Sequence, residues 1–324
     1  MKGLWLENKQ ISFRDDLPEP SLEPEEALIK LSLAGICSTD LEMVKGYYPF
    51  TGIPGHEFVG VVERAPGHSE WEGKRVAGTI SVWCGECKPC REGRTGHCEN
   101  RRTLGVYNYN GVFAEFTKLP VSNLVEVPKS VLDEMAVFTE PLAAALQILE
   151  QVQIKPSDRV YVVGAGRLGI LIAQVIKLTG CDLTVVVRRP EPAELLLKMG
   201  IQSCLATELE EKSADVVVEV TGSSEGFATS KRLLRAGGTL VLKSTFAGDV
   251  SVNLSSLVVD EIHLIGSRCG PFKPALRLME TGQVSLQSLI QAKFSLNNSL
   301  QAFEEAANPG RLKVLIDMGL KLPN

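Results

Sequence analysis

The run Val160-Tyr161-Val162-Val163, followed at once by Gly164-Ala165-Gly166-Arg167-Leu168-Gly169, constrains this chain more than any other stretch. A short apolar run rich in β-branched residues suits a strand buried on both faces, and the apolar spacing across 168–178 suits a helix. Strand, glycine turn and helix in that order make the first half of a βαβ unit. Gly164 permits the tight turn, and Gly166 lets a pyrophosphate approach the backbone at the helix N-terminus beside Arg167 and Leu168. Gly169 lets the helix lie close to the sheet. A GxGxxG string alone is weak, but in this context it predicts a dinucleotide site.

Beyond it, strand-like stretches at 183–187, 215–220 and 239–243 alternate with helical ones at 194–199 and 226–234. Such alternation implies right-handed crossovers and a parallel sheet. Nineteen residues past Gly169, where a carboxylate would take the ribose hydroxyls of NAD, stand Arg188 and Arg189. A carboxylate there would repel a 2′-phosphate and guanidinium groups would bind it, so NADP is favoured over NAD.

Residues 1 to about 125 read differently. Short strands at 27–33, 57–64, 75–80 and 114–119, separated by Gly and Pro, predict a compact β barrel or sandwich. After Val127-Pro128, the residues Met135, Phe138, Leu142, Leu146 and Leu149 recur at helical spacing, giving one long helical stretch that Pro141 could break. Stretches 274–280 and 300–307 read as helices, and 313–318 as a strand.

Two groups of metal-ligating residues lie in the β-rich part. Cys37-Ser38-Thr39-Asp40 is followed closely by Gly55-His56-Glu57. A lone Cys is more often a small core hydrophobe. Thiolate, imidazole and carboxylate together nevertheless suit zinc, which in catalytic sites keeps three protein ligands and one open position. Cys84, Cys87, Cys90 and Cys98 lie on a loop too tight for two unstrained disulfides, and four thiolates can converge tetrahedrally on one ion. That ion would be structural; redox-active thiols are the alternative.

Composition narrows the class. A chain of 324 residues, 44% hydrophobic and 23% charged, suits a soluble protein of two domains. The net charge of −5 argues against a nucleic-acid partner. No apolar run reaches membrane-spanning length and the N-terminus has no signal-peptide pattern, so a cytoplasmic protein is expected. Eight cysteines in such a chain are better explained by metal than by disulfides.

With these elements in this order, the chain resembles the zinc-dependent medium-chain dehydrogenases, the superfamily of alcohol, sorbitol and threonine dehydrogenases. The resemblance covers nearly the whole chain. It implies an α/β protein in which a GroES-like catalytic domain, 1–142 and 268–324, wraps a Rossmann domain, 143–267, with the active site in the cleft. It also implies that Cys37 and His56 are the first two catalytic-zinc ligands. Glu57 would be the carboxylate that binds or leaves the metal, and Glu140, in Thr139-Glu140-Pro141-Leu142, would be the third ligand in its sorbitol- and threonine-dehydrogenase form. Which of Glu57 and Glu140 holds the inner position stays open.

By the same resemblance, Asp40 orients the histidine and Thr39 passes the substrate proton outward. Glu42 stands where the family often has a histidine relay, leaving its part in proton transfer open. Arg268 falls where polyol dehydrogenases carry an arginine near cofactor and substrate, and Lys313 resembles a basic residue that meets the pyrophosphate. The expected activity is hydride transfer between a secondary alcohol, polyol or amino alcohol and NADP or NAD, with one catalytic and one structural zinc, in a homodimer or homotetramer. The rival readings are a zinc-independent NADPH quinone or enone reductase of the same superfamily, which lacks the Cys and His ligands, and an NADP-binding protein without catalysis.

Overall fold

The computed structural model describes residues 1–245 and 250–320, which form two compact units: Met1–Glu140 with the segment from Phe272 onward, and Pro141–Pro271. The first unit is organised around the strand Glu26–Gly35, buried at nine of its ten positions. So long an apolar run needs partners on both edges, and it finds them. Glu57–Arg64 pairs antiparallel along one edge, while Phe116–Pro120 and Lys313–Asp317 share the other. The sheet runs Ile290–Ser295, Lys313–Asp317, Glu26–Gly35, Glu57–Arg64, Arg75–Gly78, Leu124–Glu126. Its interior is filled by Leu4, Ile29, Leu31, Phe58 and Phe113, with the Phe113 and Phe303 rings edge to face at 5.5 Å.

The register of this sheet positions everything that follows. Gly35 pairs with Glu57 on one side and with Leu315 on the other. The chain leaves the central strand at Gly35 and caps a helix, Ser38–Lys45, with Cys37; it enters the neighbouring strand at Glu57 immediately after His56. Two ligand-bearing segments that are loops in sequence are therefore side by side at adjacent strand ends.

The second unit is a six-stranded, fully parallel sheet in the order Gln202–Leu205, Asp182–Val187, Arg159–Val163, Ala214–Glu219, Leu234–Leu242, His263–Gly266. Chain order reverses between Arg159–Val163 and Ala214–Glu219, the switch point of a doubly wound fold. The helix Arg167–Lys177 buries eight consecutive residues, Gly169 to Ile176. Gly169 must be glycine, since a Cβ there would stand 2.0 Å from the Gly164 carbonyl oxygen.

The helical stretch across 135–149 is broken near Pro141, as the proline suggests: Asp133–Ala136 and Thr139–Gln151 are separate helices, and Pro141 sits in the first turn of the second, where a missing N–H costs nothing. Two expectations need correction. The domain boundaries move to 140/141 and 271/272. Residues 267–271 stay with the parallel sheet because the Ser267 N–H continues the ladder to the Leu242 carbonyl and Gly270 packs directly on the Ala143 carbonyl. Arg268 is thus part of the nucleotide-type unit, not of the catalytic one.

A buried carboxylate fastens the β-rich unit. Glu26 Oε1 accepts the Tyr109 hydroxyl at 2.9 Å, while Oε2 accepts the Glu23 N–H at 2.9 Å and pairs with Lys118 Nζ at 2.6 Å. Burial opposes ionisation, but these donors outweigh it and hold the Glu26 carboxyl below its usual pKa. Such a group stabilises the fold above the ordinary carboxyl value of about 4.3, and that contribution disappears as pH falls through the lower folded value. Glu26→Gln is expected to cost about 1–3 kcal/mol at neutral pH. Denaturant titration should show the gap from wild type closing below about pH 4.

Candidate active site and metal centres

The thiol of Cys37, a ring nitrogen of His56 and a carboxylate oxygen of Glu57 all lie within 4.8 Å of one another. Asp40 sets both halves of this arrangement. It is fully buried, its Oδ2 accepts the Cys37 backbone N–H at 2.7 Å, and its Oδ1 lies 3.3 Å from His56 Nδ1. The first contact ties the N-cap to the first helical turn. The second turns the ring so that Nε2 is the nitrogen left for an ion. Burial opposes an imidazolium, but the Asp40 carboxylate and the Cys37 sulfur raise the His56 pKa well above its ordinary value in the metal-free chain.

His56 is also held from its backbone. Gly55 has φ +96°, and a Cβ on Gly111 would come 2.2 Å from its carbonyl oxygen, so these two backbones can cross only as glycines. Val112 N–H donates to that carbonyl at 3.1 Å.

The sequence left two carboxylates as candidates for the inner position. The structure brings Glu57 to Cys37 and His56 and leaves Glu140, in the first turn of Thr139–Gln151, outside that group. Glu57 is buried, and its Oε2 forms an ion pair with the buried Lys313 ammonium. Lys313, expected at a pyrophosphate, is thus committed to Glu57, with Nζ 5.4 Å from the centroid of the Phe138 ring. Sequence reasoning missed this pair because 256 positions separate its members. Thr39 Oγ1 lies 3.8 Å from the Cys37 sulfur, beside the ligands. Glu42 pairs with Lys45 at 2.7 Å one turn along the helix.

The second group, Cys84, Cys87, Cys90 and Cys98, also converges within 4.8 Å, with Cys98 Sγ 3.6 Å from Cys84 Sγ and 3.9 Å from Cys87 Sγ. Sulfurs at tetrahedral corners about 2.3 Å from a zinc ion would stand about 3.8 Å apart, so the spacing fits. The Cys87 and Glu86 N–H groups pull the Cys84 thiol down to about 6, whereas burial and the neighbouring Cys87 push Cys90 up to about 12. Without a cation the set resists successive ionisation, which is what a tetrathiolate ligand set must overcome.

In the parallel-sheet unit, the glycine turn runs from Gly164, at φ +118°, to Gly166, which N-caps Arg167–Lys177. A Cβ on Gly166 would meet nothing within 4 Å, so a ligand can approach its backbone. Arg188 and Arg189 are exposed just past the strand Asp182–Val187, and Arg268 is exposed just past His263–Gly266.

Against this geometry, the alcohol dehydrogenase GroES-like domain family matches residues 23–129, and the zinc-binding dehydrogenase family matches residues 168–281. A sorbitol dehydrogenase of Halalkalibacterium halodurans is 30% identical over 92% of this chain and 93% of its own. The chain belongs to the zinc-dependent medium-chain dehydrogenases. D-arabinitol dehydrogenase 1 of Uromyces fabae is 28% identical over 92% of this chain and 91% of its own. A protein of Sinorhizobium meliloti 1021, assigned as a zinc-binding dehydrogenase and solved bound to NADP, superposes with a TM-score of 0.89 at 28% identity, covering 98% of each chain. This dehydrogenase is therefore an NAD(P)-dependent, zinc-binding oxidoreductase with a GroES-like unit and a Rossmann unit. Among the described residues, no helix is long and apolar enough to cross a membrane.

A ligand that must lose a proton before it binds metal makes affinity pH-dependent. Because His56 holds its proton more tightly than an ordinary imidazole, the apparent zinc affinity of the dehydrogenase at Cys37 should start to fall above pH 6.5 as pH is lowered. Competition with a chromophoric chelator measures this. Metal analysis is expected to find two zinc ions per chain, reduced to one in Cys37→Ser and to one in Cys98→Ser.

Proposed function

We propose that this chain oxidises a secondary alcohol of a polyol, sugar or amino alcohol reversibly to a carbonyl, with NADP as the preferred hydride acceptor. The observation that carries the reading is the convergence of Cys37, His56 and Glu57 on one point. A zinc ion held there supplies the Lewis acidity that makes a bound hydroxyl acidic near neutral pH. Cys37 and His56 would hold it with Glu57, itself paired to Lys313, beside them, and Asp40 keeps the imidazole in place. Thr39, at the start of the capped helix, takes the hydroxyl proton outward. The four-cysteine loop holds a second, structural ion. By the family resemblance, Glu140 is the alternative carboxylate for the same ion.

The substrate class rests on relatives that dehydrogenate sorbitol and D-arabinitol. The dinucleotide preference rests on Arg188 and Arg189, two exposed cations at a strand end where NAD enzymes need a carboxylate. A guanidinium fork matches a phosphate in shape and charge. The double variant Arg188→Ala/Arg189→Ala is expected to lower kcat/KM for NADP about tenfold or more while leaving that for NAD within about threefold. Steady-state kinetics on a polyol panel checks it. Retention of full turnover by Cys37→Ser, with the fold intact, would overturn the alcohol-dehydrogenase reading in favour of a zinc-independent reductase.

We also propose a homodimer formed through the Rossmann sheet. His263–Gly266 is its last strand and carries Leu264 at 47% exposure; the adjacent helix Leu254–Val259 exposes Leu254, Val258 and Val259 by 69–80%. An edge strand with an apolar flank invites a second copy related by a two-fold axis. Leu264→Lys/Val258→Asp is expected to halve the particle mass in light scattering.

A further inference from the structure

Two helices start beside the switch point of the parallel sheet, and their first turns are finished differently. Gly166, the N-cap of Arg167–Lys177, has no side chain with which to cap the turn, and a Cβ there would meet nothing within 4 Å. Ser223 caps the helix Ser224–Leu233, its Oγ accepting the Gly226 N–H at 3.0 Å. The difference extends through the whole turn that joins Ala214–Glu219 to this second helix, and it starts from one buried acid.

Glu219 is 2% exposed and stands in register between Val163 and Leu242, apolar neighbours on both sides. A carboxylate in that position is costly unless donors meet it. Among the described residues three neutral donors do: the Thr221 N–H at 2.7 Å and the Thr221 hydroxyl at 2.6 Å reach Oε1, and the Ser244 hydroxyl at 2.7 Å reaches Oε2. The two hydroxyls then accept in their turn. Gly222 N–H donates to Ser244 Oγ at 2.9 Å, and Ser223 N–H donates to Thr221 Oγ1 at 3.2 Å. Successive backbone N–H groups in a turn make an anion-binding concavity when they point outward. Here those of Thr221, Gly222 and Ser223 all point into the protein, so this turn is not a phosphate seat.

The same turn stands against the glycine turn. Val220 N–H donates to the Val163 carbonyl at 3.0 Å, and a Cβ on Gly164 would lie 3.0 Å from the Val220 carbonyl oxygen and 3.2 Å from Thr221 Cγ2. Thr221 is itself exposed. A dinucleotide lying across the switch point therefore meets an uncapped helix start at Gly166, which suits its pyrophosphate, and next to it a turn whose N–H groups are withdrawn. Its adenosine half lies over the strands that end at Gly164 and Arg188, so the half that continues past the pyrophosphate, the nicotinamide half, lies against Thr221 and Ser244.

We propose that Glu219 is a positioning residue for the nicotinamide half of the dinucleotide, holding the Thr221 turn and Ser244 together as one preformed wall. The inference rests on the reading of this unit as a dinucleotide site. A wall that is already ordered spares the ligand the entropy of ordering two loops. Without the carboxylate the wall loosens, while the adenosine half keeps its seat on the glycine turn and the arginines at 188 and 189.

The test compares dissociation constants for NADPH and for 2′,5′-ADP, which carries the adenosine half and lacks the nicotinamide half, by calorimetry on the full-length, zinc-loaded protein. In Glu219→Gln the amide nitrogen cannot accept a donor, so one of the inward bonds is lost or reversed. That variant is expected to bind NADPH about tenfold more weakly than wild type does, and 2′,5′-ADP within about twofold of wild type. Ser244→Ala, which removes one donor, should weaken NADPH about threefold and leave 2′,5′-ADP alone. A merely structural acid would weaken both ligands alike. An unchanged ratio of the two constants in Glu219→Gln overturns the proposal while leaving the dinucleotide site standing; if that variant fails to fold, an unchanged ratio in Ser244→Ala overturns it in the same way. Failure of wild type to bind NADPH overturns the dinucleotide reading itself and this inference with it.

Discussion

The buried carboxylate of Asp40 is the constraint on which the catalytic unit depends. A fully buried acid is costly unless its oxygens are matched, and this one accepts the Cys37 N–H through Oδ2 and sets Oδ1 3.3 Å from the His56 ring, an electrostatic contact and not a formed hydrogen bond. The same group thereby shapes the helix start and the metal site. Its charge also sets the electrostatics around it. A Cys37 thiolate, Asp40 and Glu57 carry three negative charges and Lys313 one positive, so with neutral imidazole the centre holds a net charge of minus two, most of it on buried groups. A divalent cation balances that charge. Without one, the chain must keep the thiol protonated or charge the imidazole, the direction in which the His56 pKa moves. The fold therefore has a strong preference for the loaded state, and the preference is built from groups that do not all touch the ion.

The two metal centres use different means to similar ends. At the four-cysteine loop, ligands lie within fifteen residues and the backbone's own N–H groups tune the thiols, so local geometry suffices. At Cys37 the ligands come from two strand ends, and their meeting depends on the Gly35–Glu57 register of the central sheet. A one-residue slip there would turn every side chain of the strand to the other face and separate Cys37 from His56. The Cys37 group thus depends on long-range strand pairing, whereas the four-cysteine group is assembled within one loop.

How much of this was legible in the sequence follows from range. The glycine turn, the cysteine loop and the strand-helix alternation are local signals, and each names its own residues. The strand Glu57–Arg64 was readable to the residue because apolar β-branched side chains and a flanking glycine mark it. What escaped were contacts between distant positions. Lys313 resembles a basic residue of the family that meets the pyrophosphate, and only the pairing of Lys313–Asp317 with Glu26–Gly35 shows that it also pairs with Glu57. The helix Ser38–Lys45 escaped because polar residues at its start resemble a loop until Cys37 and Asp40 are seen to cap it. The domain boundary was misplaced near Arg268 because the extra ladder contact at Ser267 leaves no trace in hydropathy.

The Rossmann unit shows why the kind of burial around a cation indicates its task. Arg188 and Arg189 are exposed, so they cost little to hold and can move to meet a phosphate whose charge is already fully formed in solution. Lys243, by contrast, is buried beside Ser267 on a backbone laddered on both sides, so its position is set by the fold and not by a ligand. Mobile, hydrated cations can answer to a ligand in solution, whereas a buried one belongs to the framework that holds the strand ends in place.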